Sequence, residues 1–353
     1  MQTNSLVTGG AGFIGSHVVN HLIEMGHHVI VLDDLSGGFI ENIHPNAEFC
    51  KGSISDTFLV NGLFEEYQFD YVYHLAAYAA EGLSHFVRKF NYQNNLVGSI
   101  NLINAAVNNG VKRFVFTSSI AVYGTNYLPL IESQVPNPED PYGIAKYAVE
   151  MDLRSAHEMF GLNYTIFRPH NVYGPNQNIA DKYRNVVGIF MKQILADEPL
   201  TVFGDGEQSR AFSFIDDVAP YIAESVHLKG AENEIFNIGG GIPFTVNQLT
   251  KEVIRAMDAE VEVNYLEERN EALHAYASHD KFKKVFNPEE GVKLDVGLAK
   301  MGTWVKQDKK KGIELAKQLV KPNKNAKAVR ELNMPTPKIE IEKNLPASWK
   351  NNR

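Results

Sequence analysis

A single cysteine among 353 residues, Cys50, excludes an internal disulfide and fits a reducing compartment, where such a side chain ordinarily serves as a small hydrophobe. Long apolar runs are missing too: none reaches the roughly 18 residues that a membrane-crossing helix needs. The chain opens Met1-Gln2-Thr3-Asn4 and passes straight into a strand pattern, without the basic and then apolar segments of a secretory leader. These absences predict a soluble, cytoplasmic protein with no membrane partner. Positive charge is also scarce, with 34 Lys+Arg against 42 Asp+Glu and a net charge of −8, which argues against a nucleic-acid partner. The shortage is uneven: residues 306–353 hold 13 of the basic and 5 of the acidic side chains. This basic stretch either binds phosphate or RNA, or lies solvated against an acidic body.

What is present reads as an ordinary globular chain, 44% hydrophobic and 22% charged, long enough for one two-lobed domain or two closely joined ones. Short β-branched runs, Ser5–Thr8, His28–Leu32, Glu48–Lys51, Tyr71–Leu75, Arg113–Thr117 and Tyr164–Phe167, alternate with amphipathic stretches near 13–25, 56–67, 84–109 and 141–160. Gly26 and Gly110 stand where helices would end, and Asp140-Pro141 supplies an N-cap followed by proline at the first helical position. Such alternation predicts an α/β fold: a Rossmann-type, doubly wound parallel sheet over residues 1–175. From 176 the pattern turns to shorter mixed segments: helices near 183–196, 217–228 and 245–258, and strands near 200–203 and 212–215. They predict a smaller mixed α/β substrate lobe over 176–320, contiguous or interleaved with the first. Residues 321–353, rich in Pro, Lys and Asn, predict an extended basic tail.

The stretch Leu6-Val7-Thr8-Gly9-Gly10-Ala11-Gly12-Phe13-Ile14-Gly15 is a strand, a glycine turn and a helix start. Glycines at 9, 12 and 15 permit a tight turn, backbone approach to a pyrophosphate and close helix–sheet contact, while the helix N-terminus offers free N–H groups. A glycine trio alone is weak, but this one sits in a first βαβ unit. The second strand ends in Asp33, whose carboxylate can accept bonds from ribose hydroxyls and repel a 2′-phosphate, favouring NAD over NADP. The competing reading makes Asp33-Asp34 plain turn acids.

Further on, Thr117-Ser118-Ser119 closes a strand, and Tyr142-Gly143-Ile144-Ala145-Lys146 opens a helix, with Tyr142 and Lys146 one turn apart on one face. A free phenol has a pKa near 10 and is a poor base at neutral pH; lowering it by about 3 units takes about 4 kcal/mol. A lysine ammonium and a positive nicotinamide ring in a partly desolvated site can supply that. Ser119 can then share a strong hydrogen bond with a substrate hydroxyl. Alone, such a Tyr/Lys pair is more often a surface contact; behind a dinucleotide turn the catalytic reading leads.

At these residues the chain closely resembles the extended short-chain dehydrogenase/reductase family, the NAD-dependent epimerases and dehydratases, and within it the UDP-glucose 4-epimerase branch. The matching stretches are TGGAGFIGS at 8–16, GSISD at 52–56, HLAA at 74–77, NYQNN at 91–95, TSSIAVYG at 117–124, PYGIAK at 141–146, FRPHNVYGP at 167–175 and VFGDGEQSRAFSFIDDV at 202–218. They run in family order and cover nearly all of residues 5–320. The resemblance implies that Tyr142 is the base, with Lys146 lowering its pKa and binding the nicotinamide ribose, and Ser119 beside them. It implies Asp33 on the adenosine ribose, Asp56 on the adenine, and Asn95 near the cofactor. Gly9, Gly12, Phe13, Ile14, Gly15, Ile54, Leu75, Ala76, Ala77, Ser118 and His170 complete the implied NAD site. Asn171, Asn185, Arg210 and Arg269 would contact the sugar nucleotide, a task for which arginine's always-charged fork is suited. The resemblance also implies a homodimer, paired through the helices near 84–109 and 141–160.

The family's enzymes begin alike, taking a proton from the sugar C4 hydroxyl and a hydride from C4. The dehydratases then use an acid and a base beside the serine or threonine, and the decarboxylases a glutamate; here Ile120 and Ala121 follow Ser119. Without an added acid or base, the simplest outcome is 4-epimerisation of a nucleotide sugar of the UDP-glucose/UDP-galactose type. A uronate or N-acetylhexosamine 4-epimerase, or a ketoreductase, stays open, as does a non-catalytic NAD-binding protein with a decayed site. The chain departs from the branch pattern at Ala79, where relatives carry lysine. Glu81, His85 and Arg88 either line the sugar pocket or pack a helix start, and Ala275-Tyr276-Ala277 covers the position that gates N-acetyl sugars. His17, His74 and His170 fall in motifs that fold and cofactor explain, so no metal is expected.

Overall fold

The computed structural model describes residues 2–181, 185–268 and 273–307. Arg269 and the tail 321–353 lie outside the described residues, as do positions 183 and 184 of the helix expected at 183–196. The first half of the chain runs β1 (Asn4–Thr8), α1 (Phe13–Glu24), β2 (His28–Asp33), β3 (Glu48–Lys51), α2 (Thr57–Tyr67) and β4 (Tyr71–His74). It continues with α3 (Glu81–Ser84), α4 (Arg88–Tyr92), a π-helical turn at Gln93–Val97, α5 (Gly98–Asn108), β5 (Arg113–Thr117), α6 (Pro141–Phe160) and β6 (Tyr164–Pro169). The helix expected over 84–109 instead runs unbroken from Arg88 to Asn108 with the π turn inside it, behind a turn at 85–87 that separates it from α3. The π turn widens the winding locally, and Asn91 just before it and Asn95 within it turn inward as polar braces.

The second half contributes β7 (Val172–Tyr173), α7 (Val186–Leu195), β8 (Leu200–Phe203), β9 (Ser209–Ala211), β10 (Ser213–Phe214), α8 (Ala219–Glu224) and β11 (Glu234–Ile238). β12 (Pro243–Thr245), α9 (Val246–Met257), β13 (Val263–Leu266), β14 (His274–Ala275), α10 (Asp280–Phe286) and α11 (Leu294–Gln307) follow. The helix expected over 217–228 is only Ala219–Glu224, flanked by 3-10 turns, and the strand expected over 212–215 is the two-residue β10.

Seven parallel strands form the central sheet in the order β11-β6-β5-β4-β1-β2-β3. Strand period two drives its burial: Leu6 points into a core with Leu63, Phe64, Leu102, Val149 and Leu153 from α2, α5 and α6. Val7 points to the opposite core with Val18, Val19 and Leu22 of α1 and Ile222 of α8. β11 leaves the second half of the chain and joins this sheet beside β6, in register from Glu234 opposite Thr165 to Ile238 opposite Pro169. The short sheets β10–β7, β12–β9–β14 and β13–β8 lie around it. Strand order reverses between β1 and β4, and the crevice beyond the carboxyl ends of such strands is where open α/β sheets take ligands.

Candidate active site

The turn after β1 is shaped by backbone crowding. Gly9 has φ +74°, and a Cβ there would lie 2.7 Å from the Ala76 nitrogen; at Gly15 it would lie 2.1 Å from the Gly9 carbonyl oxygen. α1 starts at Phe13 behind Gly12, with no side chain capping its first amides. Asp33, 8% exposed, accepts the Ala11 amide on Oδ2 at 3.0 Å and the Leu35 amide on Oδ1 at 2.8 Å. Burial pushes its carboxyl above the usual range, while the two amides pull it back. A glycine cradle, an uncapped helix N-terminus and a carboxylate at the next strand end fit a dinucleotide: Phe13 and Ile14 amides for the pyrophosphate, Asp33 for a ribose.

Several residues expected around a cofactor are placed by a buried polar chain that the sequence reading missed. Ser99 Oγ donates to the Asn95 carbonyl at 2.9 Å, so His74 Nε2, 2.8 Å from Ser99 Oγ, carries the proton and donates. His74 Nδ1 then accepts from Thr8 Oγ1 at 2.7 Å, and Thr8 Oγ1 accepts the Ala76 amide at 3.3 Å. Burial keeps this imidazole neutral, with its pKa well below the usual value. Asn95 accepts the Tyr78 amide at 2.7 Å and donates to the Tyr78 carbonyl at 3.0 Å and to Asn91 Oδ1 at 2.7 Å; Asn91 donates to the Pro141 carbonyl at 2.8 Å. Leu75, Ala76 and Ala77, half-buried, are held in this loop. Ile54 packs under Gly98, where a Cβ would lie 2.7 Å from Ile54 Cγ1. Asp56 is exposed and caps α2, accepting the Phe58 and Leu59 amides at 3.1 Å on one oxygen.

Asp140 caps α6 through the Tyr142 and Gly143 amides, at 2.9 and 3.0 Å. Gly143 brings the helix start against the 119–123 turn: a Cβ would lie 2.6 Å from the Ala121 carbonyl oxygen. Tyr142 and Lys146 at the start of α6 thus lie on a helix packed against the turn that Ser119 opens after β5, and all three side chains are buried. Lys146 Nζ donates to the Thr117 carbonyl at 2.7 Å and lies 5.8 Å from the centre of the Tyr142 ring. Burial pushes its ammonium down to about 7, and Glu150 pulls it back upward. Ser119 Oγ accepts the Ala121 amide at 3.1 Å. Ser118 turns the other way and donates to Glu150 at 2.5 Å. Its hydroxyl is spent inside the protein, a direction that a motif match does not reveal.

A third group collects at the end of β6. His170 Nδ1 and Asn171 Nδ2 both meet the Ala211 carbonyl, at 3.2 and 3.0 Å, next to Arg210. Asn185 caps α7 and donates to the Val172 carbonyl at 2.8 Å, while Arg210 Nη1 donates to the Ser209 and Leu273 carbonyls. His170 Nε2 lies 3.0 Å from His279 Nε2. Burial pushes the two rings down to about 4 and about 3, so both are neutral; with His170 Nδ1 donating to the Ala211 carbonyl, its Nε2 accepts and His279 Nε2 donates across the contact. His17 lies 3.0 Å from the Pro175 carbonyl. Glu81, His85 and Arg88 are exposed on the segment beside Asp140. Ala277 is buried and pairs with Leu130, and the Tyr276 carbonyl accepts the Leu130 amide at 3.0 Å. A cavity of about 430 Å³ lined by Ile131, Glu132, Arg154, Tyr164, Asn233 and Lys281 contains none of these residues.

A parallel sheet of this order, a glycine turn at its switch point and a Tyr/Lys pair at the neighbouring strand ends define a dinucleotide-dependent enzyme of short-chain dehydrogenase/reductase architecture. Residues 5–239 match the NAD dependent epimerase/dehydratase family, and the chain belongs to it. A UDP-glucose 4-epimerase of Mycolicibacterium smegmatis is 34% identical over 304 residues, 84% of this chain and 96% of that protein. The Thermotoga maritima UDP-glucose 4-epimerase solved with UDP-glucose superposes with a TM-score of 0.82 at 38% identity, covering 86% of this chain and 99% of that one. The Bacillus cereus UDP-glucuronic acid 4-epimerase solved with UDP-glucuronic acid and NAD gives 0.79 at 28% identity, with coverages of 86% and 99%. The protein is an NAD-dependent enzyme of the nucleotide-sugar epimerase/dehydratase kind.

Proposed function

We propose that the protein is a nucleotide-sugar 4-epimerase of the UDP-glucose/UDP-galactose type, acting as a homodimer. What supports this reading is Lys146 Nζ 5.8 Å from the Tyr142 ring at the start of α6, packed against the turn that begins at Ser119, with no carboxyl side chain at positions 120 and 121. NAD, when bound in the glycine cradle, supplies a reversible hydride acceptor. Tyr142 takes the proton of the sugar C4 hydroxyl and later returns one to the oxygen at C4. Lys146 stabilises the phenolate and is held by the Thr117 carbonyl, so its charge stays in place as the proton moves. Ser119 Oγ bonds the same substrate oxygen. Asn171, Asn185 and Arg210, tied to the backbone of β7 and β9, are assigned to the nucleotide diphosphate in this reading; Arg269 belongs to the same proposed set. With neither acid nor base to eliminate or decarboxylate, the oxidised sugar can only turn and be reduced on its other face. A uronate or N-acetylhexosamine substrate keeps the same chemistry and changes the pocket.

Incubation of the purified protein with UDP-galactose should yield UDP-glucose without added reductant. Tyr142→Phe should lower the rate by about 10²–10⁴-fold, the usual worth of a positioned base, at unchanged fold. Net production or consumption of NADH would replace this reading with that of a ketoreductase.

A further inference from the structure

Behind the Tyr142–Lys146 pair, α6 presents a third ionisable side chain on the same face: Glu150, four residues after Lys146 and eight after Tyr142. It is fully buried. Its carboxylate accepts Arg168 Nε at 3.0 Å and Nη2 at 2.5 Å from β6, and Ser118 Oγ at 2.5 Å from the end of β5. Arg168 in turn lies 4.6 Å over the Tyr123 ring, whose hydroxyl donates to Asn237 at 2.8 Å. A buried ion pair gains little stability over apolar residues of the same volume, so its presence here asks for another role. Charge alternates along the row when the base is active: tyrosinate 142, ammonium 146, carboxylate 150, guanidinium 168.

We propose that Glu150, clamped by Arg168 and Ser118, is a positioning residue that holds Lys146 in its ammonium form and thereby keeps the proton vacancy on Tyr142. One proton missing from the Tyr142–Lys146 pair can come from either group, and only the tyrosinate–ammonium arrangement contains a base. Burial favours the other arrangement, phenol beside neutral amine, because it removes both charges. The nearby anion tips the choice back, in keeping with the upward pull of Glu150 on the lysine. Of the other ionisable groups packed around the row, Asp140 stands at its Tyr142 end, ten residues before Glu150, and is taken up by the Tyr142 and Gly143 amides. His74 on β4 is neutral. Tyr123 is pushed up to about 12 and stays protonated; Glu132, beyond it, accepts the Asn237 amide. α5 carries no ionisable side chain. α3 and α4 bring Glu81, Arg88, Lys89 and Tyr92, of which Glu81, Arg88 and Lys89 are exposed.

This inference rests on Tyr142 and Lys146 acting as the base pair of the proposed reaction. The test is the pH profile of kcat/KM for Glu150→Gln and Arg168→Met, with thermal unfolding run alongside. Glu150→Gln should lower the plateau about tenfold and move the acidic limb about one unit to lower pH, since the lysine now yields the first proton. Arg168→Met, which leaves the carboxylate unshared, should move that limb to higher pH. Opposite shifts from deleting opposite charges are what a general packing defect would not produce. Should a single variant fail to fold, Glu150→Gln/Arg168→Gln leaves no uncompensated charge and should keep a smaller downward shift. Limbs that superpose on the wild type in folded variants overturn the proposal. If the wild type proves inactive on every sugar nucleotide offered, tyrosinate absorbance decides: the titration step of the NAD-loaded protein that Tyr142→Phe removes should shift or vanish in Glu150→Gln. An unmoved step overturns the proposal as well.

Discussion

His74 shows how much a single buried side chain can fix. The donor of Ser99 is taken by the Asn95 carbonyl, which leaves one tautomer for the ring and one direction for the Thr8 hydroxyl. That neutral ring ties the residue before the glycine turn to the loop after β4 and to the π turn. His170 and His279 form a second neutral pair, each assigned by the Ala211 carbonyl. All three have folded-state pKa values below 6.5. The sign follows: above about pH 6.5 neither state protonates them, whereas below it the unfolded chain gains protons that the fold refuses. Stability should therefore be full near pH 8 and fall as pH drops from about 6.5 toward 4. Each such imidazole contributes a loss of about 1.4 kcal/mol by pH 5.5 as an upper figure. Urea unfolding at pH 8.0 and 5.5 measures the difference. His74→Gln should cost stability at pH 8 yet make the acid fall shallower, and an equally steep fall would remove His74 from this account.

At the scale of elements, the segment between β4 and β5 departs most from its expected form, and it carries the braces of the site. Asn95 spans from the π turn to both backbone groups of Tyr78, and Asn91 reaches the first residue of α6. The cofactor-side loop and the catalytic helix thus share one support. Asn95→Leu keeps the volume and removes both bonds to Tyr78. It should cost about 2 kcal/mol in denaturant unfolding, the usual size of unpaired buried polar groups. It should also weaken NAD binding about tenfold in calorimetry; an unchanged NAD affinity would confine the residue to structure. The sheet was legible beforehand because strands and helices announce themselves by period: β1, β2, β5 and α6 lie within a residue or two of their expected bounds. Gly9, Gly15, Asp33, Tyr142 and Lys146 were legible because each answers to a local spacing with a chemical reason. Glu150, Arg168, Asn91 and Ser99 were not. Their partners lie across the fold, Glu150 and Arg168 18 residues apart and Asn91 and Pro141 50 apart, and a lone Glu or Asn in a helix reads as a surface residue. The π turn was hidden for the same reason, since only tertiary contacts stabilise it.

For the whole molecule, the outer surface of α6 is the face through which the proposed pairing of two copies would run. Its inner face fills the core with Val149 and Leu153 while carrying Tyr142, Lys146 and Glu150 inward. On the other side Ile144, Tyr147, Ala148, Met151 and Ser155 form a stripe at helical spacing, partly or wholly exposed, with Met151 at 47%. Val97, where the π turn meets α5, adds another exposed apolar side chain, at 51%. A stripe of small and apolar residues at i, i+3, i+4 and i+7 is the shape one helix offers another. Two copies pairing through α6 and the neighbouring α5 would bury it. Met151→Glu places a charge in that seam. Sedimentation velocity should therefore show the wild type as a dimer and the variant shifted toward monomer, by more than tenfold in dissociation constant if the charge costs about 2 kcal/mol on burial. The consequence reaches the site, because the helix that would be gripped in the seam carries Tyr142 and Lys146 on its opposite face. A monomeric variant should unfold at lower temperature and lose part of its turnover. A variant that stays dimeric with unchanged affinity would show that this stripe is not the seam.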